Sequence, residues 1–298
     1  MKTIVQILKE TFKNEMFTVK QAYEVCPNVN KESVRARIYE NLGVYFKRIA
    51  RGIFISDNCL IIEGDGRDLS FLEDESLDCI ITDHPWSDKK SNKGGNRNFA
   101  SYDTFEYTLD DFKEKARVLK QGCFLVEMLP AENENNFEYL YKIKKMAQEV
   151  GFEYYAKVPW IKGSFVSNTG RKSKNSEDIM IFSKGKARAL RLDVKKTKKI
   201  GHDCYMSGTN GMLPTSFSVQ AVPRNEVIAQ SQKPVELFEQ LLSYITMENE
   251  IVLDQFAGSG AVGIACLNKN RNSIMIEKSK ELCDKIKNRL NYQVCLDI

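Results

Sequence analysis

The sequence has 298 residues, of which 42% are hydrophobic and 28% charged, and its formal net charge is +4. This length allows one large domain, or a medium domain with an appendage, built around a sizeable core. No apolar run approaches the ~20 residues of a membrane span, and the first residues lack the apolar stretch of a signal peptide. Eight cysteines without a CxxC pair predict reduced, buried thiols of a cytoplasmic protein rather than disulfides or a zinc site.

The charge is unevenly distributed along the chain. Residues 160–204 carry twelve Lys and Arg against four Asp and Glu, and residues 1–56 carry ten against five. A solvated surface is one interpretation of such runs. Two separate basic regions also fit a polyanionic partner, of which nucleic acid is the commonest.

The first 57 residues predict a separate small module. An amphipathic helix opens it, two helices capped by Thr18 and Asn30 follow, and a hairpin with strands at 45–49 and 52–55 closes it. Three short helices and a basic hairpin resemble a winged helix, in which one helix enters the DNA major groove and the wing touches phosphates. The basic residues predicted to contact DNA are Arg35, Arg37, Lys47, Arg48 and Arg51. A protein–protein module with a charged face is the alternative.

A glycine-rich turn near the C-terminus predicts a ligand site. The segment from Glu250, EIVLDQFAGSGAVGIACLNKNRNSIMIEKS, contains a short apolar strand, the turn FAGSG, a helix and a second strand that ends at Glu277. Glycines in such a turn let the backbone approach a ligand at the N-terminus of the helix. An acid about 20 residues further on suits ribose hydroxyls.

The D-x-F-x-G-S-G pattern resembles the class I S-adenosylmethionine-dependent methyltransferases, and more narrowly the amino-methylating DNA methyltransferases of the β arrangement. The resemblance implies S-adenosylmethionine as cofactor, with its methionine part in the glycine loop and its ribose on the later acid. The residues carried over are Asp254, Phe256, Gly258, Ser259, Gly260 and Glu277. The family also has a Lys-Pro pair that opens a helix beside the cofactor, matched here by Gln232, Lys233 and Pro234, although Gln230 stands where the family often has histidine. An exposed lysine at a helix start is the alternative for Lys233.

The segment IITDHPWSD, residues 80–88, resembles the family's catalytic motif, an Asp, Asn or Ser followed by Pro-Pro and an aromatic residue. An exocyclic amino group is a poor nucleophile because its lone pair is delocalised into the base. Asp83 could accept one amino proton and the backbone carbonyl of His84 the other, on a turn stiffened by Pro85. Trp86 could stack on a flipped base, and a proline turn with a core tryptophan is the alternative. His84 departs from the family's proline, and its side chain could add a polar contact to the substrate.

The order of the motifs gives the fold class. The catalytic strand precedes the cofactor loop, and in the family that this chain resembles this order is the circularly permuted β arrangement. The resemblance therefore implies an α/β, Rossmann-like class I methyltransferase sheet for residues 58–298. Continuous apolar strands such as 122–129 fit a parallel sheet buried on both faces. In the family an acid after the strand at 60–63 lies near the cofactor's adenine, so Asp65 is a further expected contact. A turn aspartate is the alternative.

Two further basic stretches predict contacts to DNA. Residues 87–103 follow the catalytic motif, and a target-recognition insertion is expected around 184–224. The remaining basic residues predicted to bind nucleic acid are Lys89, Lys90, Arg97, Arg171, Lys172 and Lys174. Surface loops without a ligand are the alternative. No metal is expected, and His202 lacks a partner at metal-ligand spacing.

Together these patterns predict methyl transfer to the N6 amino group of adenine in double-stranded DNA, with the target base flipped out. In the family an Asp at the first catalytic position favours adenine and a Ser favours cytosine. The alternatives are N4-cytosine methylation, a catalytically weak DNA-binding regulator that keeps the fold, and RNA methylation. A homodimer is compatible with the sequence.

Overall fold

The computed structural model describes residues 2–13, 15–56, 58–86, 104–163, 175–190, 212–229 and 231–296, with the backbone only for 291–296. Six predicted DNA contacts lie outside the described residues: Lys89, Lys90, Arg97, Arg171, Lys172 and Lys174. His202 and Gln230 lie outside them as well. No helix in the described part of the chain is long and apolar enough to cross a bilayer.

Three helices and three short strands form the N-terminal unit, residues 2–56. In chain order they are α1 Ile4–Thr11, β1 Met16–Thr18, α2 Val19–Val25, α3 Lys31–Glu40, β2 Lys47–Ala50 and β3 Ile53–Ile55. The strands pair antiparallel in the order β1-β3-β2. Both expected caps are present, since the side chains of Thr18 and Asn30 accept backbone N–H groups of α2 and α3. The hairpin lies one to two residues from its predicted place, with Arg51 and Gly52 at its tip.

The N-terminal unit is packed against the rest of the chain. Ile49 and Ile55 are buried in the same hydrophobic cluster as residues of the large sheet described next. Arg48 forms an ion pair with Glu73 (2.9 Å), and the ammonium group of Lys47 bonds to the side chain of Asn272. Lys47 and Arg48 therefore bind the body of the protein, which does not support their predicted place on a DNA-contacting wing.

In the described residues from 58 onwards, the chain forms an eight-stranded sheet covered by helices. Its elements are β4 Cys59–Glu63, β5 Leu77–Thr82, α4 Leu109–Val118, β6 Leu119–Pro130, α5 Phe137–Glu149, β7 Phe152–Ile161, β8 Ser176–Lys184, β9 Phe217–Ser218, α6 Val235–Ile245, β10 Ile251–Asp254, α7 Ala261–Asn268, β11 Asn272–Glu277 and α8 Lys280–Leu296. The strand order is β4-β11-β10-β5-β6-β8-β7-β9. The first five strands are parallel, and β8 runs antiparallel to both β6 and β7.

Both faces of the large sheet are buried, which explains its continuous apolar strands. Along β5, Ile80 faces a cluster that includes residues of α4 and α5, whereas Cys79 and Ile81 face a cluster built with α6 and α7. Alternate side chains of a strand point to opposite faces, so a strand covered on both sides is mostly apolar, as β5 is apart from Asp78 and Thr82. All six residues of β5 are buried. The predicted α/β fold class is confirmed.

The strand order changes direction between β10 and β5. From β10 the chain passes through α7 to β11 on one side, and from β5 it passes through α4 to β6 on the other. Such a switch point opens a crevice at the carboxyl ends of the two strands. The DHPW segment follows β5 and the FAGSG turn follows β10, and the two strands are direct neighbours. The crevice therefore lies between the two predicted motifs.

The flanks of the predicted target-recognition insertion belong to the folded core. Phe217 in β9 is buried, and β9 forms one edge of the sheet by pairing with β7. Arg188, one of the residues that make this region basic, forms two hydrogen bonds with the carboxylate of Glu250 and one with the carbonyl of Ile245 (2.7 Å). Arg188 therefore stabilises the fold. The centre of the predicted insertion, residues 191–211, lies outside the described residues.

Candidate active site

The carboxylate of Asp83, directly after β5, is held by a buried lysine. Lys233 donates a hydrogen bond to Asp83 Oδ2 and another to the carbonyl of Ser231 (3.2 Å), and its ammonium lies 3.3 Å from Glu177 Oε2. The second oxygen of Glu177 pairs with Lys162. Two carboxylates and two ammonium groups thus form one chain along the carboxyl edge of the sheet.

Lys233 is only 7% exposed, so the alternative of an exposed helix-start lysine is wrong. Burial alone would lower the pKa of Lys233, but Asp83 and Glu177 raise it above its ordinary value. Burial raises the pKa of Asp83, and Lys233 opposes this effect. A permanently charged ammonium favours the ionised form of the carboxylate, and an ionised carboxylate only accepts hydrogen bonds.

The residues beside Lys233 fix its position. Gln232 accepts the backbone N–H of Ile228 on its side-chain oxygen (2.9 Å), and Pro234 immediately precedes α6. Lys233, which the sequence predicts to lie beside the cofactor, thus binds Asp83, the proposed catalytic acid.

His84 directs its side chain into the protein. Its ring is 1% exposed, lies 4.1 Å from the Tyr107 ring by centroids, and has Nε2 2.7 Å from the hydroxyl oxygen of Tyr139. Burial lowers the pKa of His84 to about 3, and nearby Lys115 lowers it as well. The imidazole is therefore neutral near pH 7. The expectation that this side chain could contact substrate is wrong, and only the backbone of His84 remains available for that role.

The last two residues of the motif lie at the surface of the crevice. Trp86 is partly exposed, whereas Trp160 is buried in the core with its indole N–H donating to the carbonyl of Val219 (2.9 Å). The alternative of a core tryptophan at position 86 is therefore wrong. Pro85 accepts the backbone N–H of Phe105 on its carbonyl (3.2 Å), which brings the chain after residue 103 back to the motif.

The glycine turn after β10 has the backbone that its sequence predicts. Gly258 and Gly260 have φ of +52° and +75°, in the left-handed region that favours glycine. A Cβ on Gly260 would also lie 2.8 Å from the side chain of Ile286. Gly260 caps α7, so this turn presents the N-terminus of that helix to the crevice.

Two acids flank the glycine turn. Asp254 accepts the backbone N–H of Phe256 (3.2 Å), and burial raises its pKa to about 8. Glu277, at the end of β11, accepts the backbone N–H groups of Gly258 and Ser279, both at 2.8 Å. A carboxylate can accept about four hydrogen bonds, so Glu277 retains capacity for ribose hydroxyls. Ser259 is buried.

Asp65 lies in the turn after β4, where its Oδ1 accepts the backbone N–H of Arg67 (3.0 Å). This is the geometry of a turn aspartate, the alternative considered for it. The turn nevertheless belongs to the same edge of the sheet, because Gln255 binds the carbonyl of Gly66. Arg67 lies over the ring of Phe105 (4.9 Å), and Phe105 contacts Phe256 (5.5 Å).

Several residues in or beside the crevice had no signal in the sequence motifs: Phe105, Tyr139, Lys162, Glu177 and Gln255. Glu177 shows which information was missing. Because β8 runs antiparallel to the parallel strands, its first residues lie at their carboxyl edge, and Glu177 is the second residue of β8. Finding it required the strand direction, which the chain order of the strands alone does not give.

The described residues fit an adenosyl cofactor with a positively charged sulfonium. Left-handed glycines allow a close approach to the backbone, Asp254 and Glu277 supply carboxyl groups, and the Phe256 ring supplies an apolar surface. The described part of the chain contains no cluster of three or more His, Cys, Asp or Glu that could hold a metal ion.

Comparison with known families agrees with this geometry. Residues 77–288 match the N6_N4_Mtase family, described as DNA methylase. The chain belongs to this DNA methylase family. Its cofactor is S-adenosylmethionine.

Two curated relatives of this methylase are type II methyltransferases. M.HpaI of Haemophilus parainfluenzae is 29% identical over 247 residues, which cover 80% of this chain and 75% of the relative. M2.LlaDCHI of Lactococcus lactis subsp. cremoris is 23% identical over 250 residues, which cover 79% and 90%.

Solved structures share the fold. The crystal structure of M1.HpyAVI has a TM-score of 0.53 at 26% identity, over 78% of this chain and 98% of that one. The cytosine-N4-specific PvuII DNA methyltransferase has a TM-score of 0.57 at 18% identity, over 77% and 85%. At 18% identity, the similarity to the PvuII enzyme shows a shared fold only.

Proposed function

We propose that this methylase transfers the methyl group of S-adenosylmethionine to the N6 amino group of adenine within a specific sequence of double-stranded DNA. One observation carries the proposal: Asp83 and the glycine turn at 256–260 follow neighbouring strands at the switch point of the sheet. The type II relatives support sequence-specific modification, as in a restriction-modification system.

The catalytic turn activates the amino group by orienting it. Asp83 accepts one N–H of the amino group and the backbone carbonyl of His84 accepts the other. The nitrogen then becomes pyramidal, and its lone pair points along the line of attack. When bound, S-adenosylmethionine supplies a methyl group on a sulfonium sulfur. With the amino nitrogen held in line, the new nitrogen–carbon bond would form as the carbon–sulfur bond breaks, and Asp83 would pass the displaced proton to solvent.

Lys233 has a supporting role in this reaction. Its ammonium binds Asp83 Oδ2 and opposes the rise that burial causes in the pKa of this carboxyl group, which favours the ionised form that accepts hydrogen bonds. Trp86, partly exposed beside Asp83, is the proposed stacking surface for a base flipped out of the duplex.

The cofactor would bind on the other side of the crevice. Its methionine part would lie on Asp254, Phe256 and the turn Gly258–Ser259–Gly260, and its ribose on Glu277. Asp65 would contact the adenine of the cofactor. Gln232 and Pro234, on either side of Lys233 in the chain, would hold that lysine in place beside the cofactor.

The test of the activity is incubation with labelled S-adenosylmethionine and DNA of mixed sequence. The parent protein should label the DNA and the Asp83→Ala variant should not, while Asp110→Ala, an exposed acid on α4, should behave as the parent. Equal labelling by Asp83→Ala would overturn the catalytic assignment. A catalytically weak regulator would bind duplex DNA without labelling it at any protein concentration.

The target base is decided by a separate measurement. An aspartate at the first catalytic position supports adenine, through the family pattern described above. Nucleoside analysis of the labelled DNA should yield N6-methyladenine. Recovery of N4-methylcytosine alone would replace adenine by cytosine in this proposal, and labelling of RNA in place of DNA would overturn it.

A further inference from the structure

The hydroxyl of Tyr139 bonds to two parts of the chain that lie far apart in sequence. Tyr139, on α5, has its oxygen 2.7 Å from His84 Nε2 and accepts the backbone N–H of Tyr107 at 3.1 Å. His84 belongs to the catalytic turn, and Tyr107 belongs to the segment that returns after residue 103. One hydroxyl therefore links α5, the catalytic turn and the returning segment.

The protonation of this link follows from the environment of each group. Burial lowers the pKa of His84 to about 3, so the ring is neutral, and burial raises the pKa of Tyr139, so the phenol keeps its proton. The Tyr139 oxygen accepts the N–H of Tyr107, and Tyr139 and His84 Nε2 share a hydrogen bond whose direction depends on the imidazole tautomer.

Packing restrains the same ring from other directions. The centroid of the His84 ring lies 4.1 Å from that of Tyr107 and 5.7 Å from that of Phe105. The N–H of Phe105 also donates to the carbonyl of Pro85 (3.2 Å). The backbone of residues 84 and 85 is therefore restrained on two sides, by the His84 side chain and by the Pro85 carbonyl.

We propose that Tyr139 is a positioning residue for methyl transfer, and that its hydrogen bond to His84 gives the catalytic turn the rigidity that a proline at position 84 gives related methyltransferases. A proline restricts its own φ and the conformation of the preceding residue through its ring. His84 lacks that restriction and is held through its side chain instead. The inference rests on the proposed function, because the His84 carbonyl matters as an acceptor for the amino group.

A double-mutant cycle with Tyr139→Phe and His84→Pro tests this proposal. The readout is the single-turnover rate of labelled methyl transfer to DNA, with the Kd for S-adenosylmethionine measured separately. Tyr139→Phe removes only the hydroxyl and should lower the single-turnover rate about tenfold, with the cofactor Kd unchanged within about twofold. In the His84→Pro background the same change should alter the rate less than twofold, because the turn no longer depends on the hydroxyl.

Tyr141→Phe is the matched control, since Tyr141 lies two residues further along α5 and is exposed. It should leave the rate unchanged. Thermal unfolding of every variant shows whether it is folded. Unfolded protein does not contribute to the single-turnover rate constant, so a lower rate constant reports a change in the folded enzyme. If His84→Pro does not fold, His84→Ala replaces it, and Tyr139→Phe should again have less than twofold effect.

Three results would overturn the inference: an unchanged rate in Tyr139→Phe, an equal loss of rate in both backgrounds, or a loss explained entirely by cofactor Kd. With any of these the parent would still methylate DNA, and the proposed function would stand. A parent protein that labels no DNA would overturn both.

Discussion

The side-chain amide of Gln255 donates a 2.7 Å hydrogen bond to the backbone carbonyl of Gly66. This buried bond joins the turn after β4 to the turn after β10, two strands that are separated in the sheet by β11. It brings Asp65 to the same edge as the glycine turn. The floor of the proposed cofactor site therefore depends on how closely these two turns approach.

Gly66→Ala should disrupt this approach. A Cβ at this position would lie 1.8 Å from the carbonyl oxygen of Gln255, a backbone atom that has no room to move away. We expect the Kd for S-adenosylmethionine to rise at least tenfold, which is about 1.4 kcal/mol. Isothermal titration calorimetry measures this change.

Gly64→Ala is the matched control for Gly66→Ala. Its nearest neighbour would be 3.8 Å away, an ordinary van der Waals contact, so its Kd should stay within about twofold of the parent. Equal affinities for the two variants would show that the contact between the turns does not shape the site.

A fully buried ion pair below the catalytic turn predicts a large effect on stability. Lys115 and Glu127 are both 0% exposed and are paired with each other, and the ammonium of Lys115 lies 3.5 Å from the Tyr107 ring centroid. Lys115→Met leaves Glu127 buried without its partner, which should lower the free energy of unfolding by about 3–5 kcal/mol. Urea denaturation measures the loss.

A control variant and a double variant complete the test of Lys115. Lys113→Met removes an exposed ion pair on the same helix, which solvent screens, and should leave the free energy of unfolding close to that of the parent. The double variant Lys115→Met/Glu127→Met should recover most of the loss, because no unpaired buried charge remains. A single Lys115→Met variant as stable as Lys113→Met would contradict this account.

The pKa of Asp254 predicts a pH dependence of cofactor binding. Burial raises this pKa to about 8, so the carboxyl is largely protonated at pH 7. A positively charged ligand favours the ionised form, so binding should release a proton and become tighter as the pH rises from 6 to 8. Calorimetry in buffers with different ionisation enthalpies counts the released protons, and Asp254→Asn should release fewer.

The same group sets the sign of a stability effect. The folded pKa of Asp254 lies above its unfolded value near 4, so its favourable contribution is complete below about pH 4 and is lost as the pH rises towards 8. The stability of the parent relative to Asp254→Asn should therefore fall over this range. A pH-independent difference between them would mean that Asp254 is already ionised in the folded protein.

The N-terminal unit predicts a salt-dependent contribution to DNA binding. Arg35 and Arg51 are exposed, at α3 and at the hairpin tip, whereas Lys47 and Arg48 bind the body of the protein. Arg35→Ala/Arg51→Ala should weaken duplex binding and reduce the slope of log K against log salt by about 2. Fluorescence anisotropy at several salt concentrations measures this slope.

A control with the same change in net charge is Lys113→Ala/Lys285→Ala, which removes two surface lysines from α4 and α8. It should leave the slope close to that of the parent. If both double variants behave alike, the N-terminal unit has no particular role in contacting DNA and the alternative of a protein-binding module gains support.

Local sequence patterns predicted the parts of this protein that depend on local chemistry. The glycines of the FAGSG turn, the caps at Thr18 and Asn30 and the buried strands were all predicted from residue types and spacing. These features depend on backbone preferences and on burial, which neighbouring residues largely determine.

Charge by itself was a weaker guide. Arg188, Lys47 and Arg48 contribute to the basic regions that favoured a polyanionic partner, yet each of them binds a group within the protein. A sequence window cannot distinguish a cation that pairs with a distant carboxylate from one that faces solvent, because the carboxylate lies elsewhere in the chain.

The sequence by itself determined the family of this protein, its α/β class and the two motifs that line the crevice. Only the tertiary structure decided that Lys233 binds Asp83 and that His84 is held inside by Tyr139. Lys233 and Asp83 are 150 residues apart, and His84 and Tyr139 are 55 apart. Motifs depend on short-range backbone and side-chain preferences, whereas these contacts exist only after the strand order of the sheet has brought distant segments to one edge.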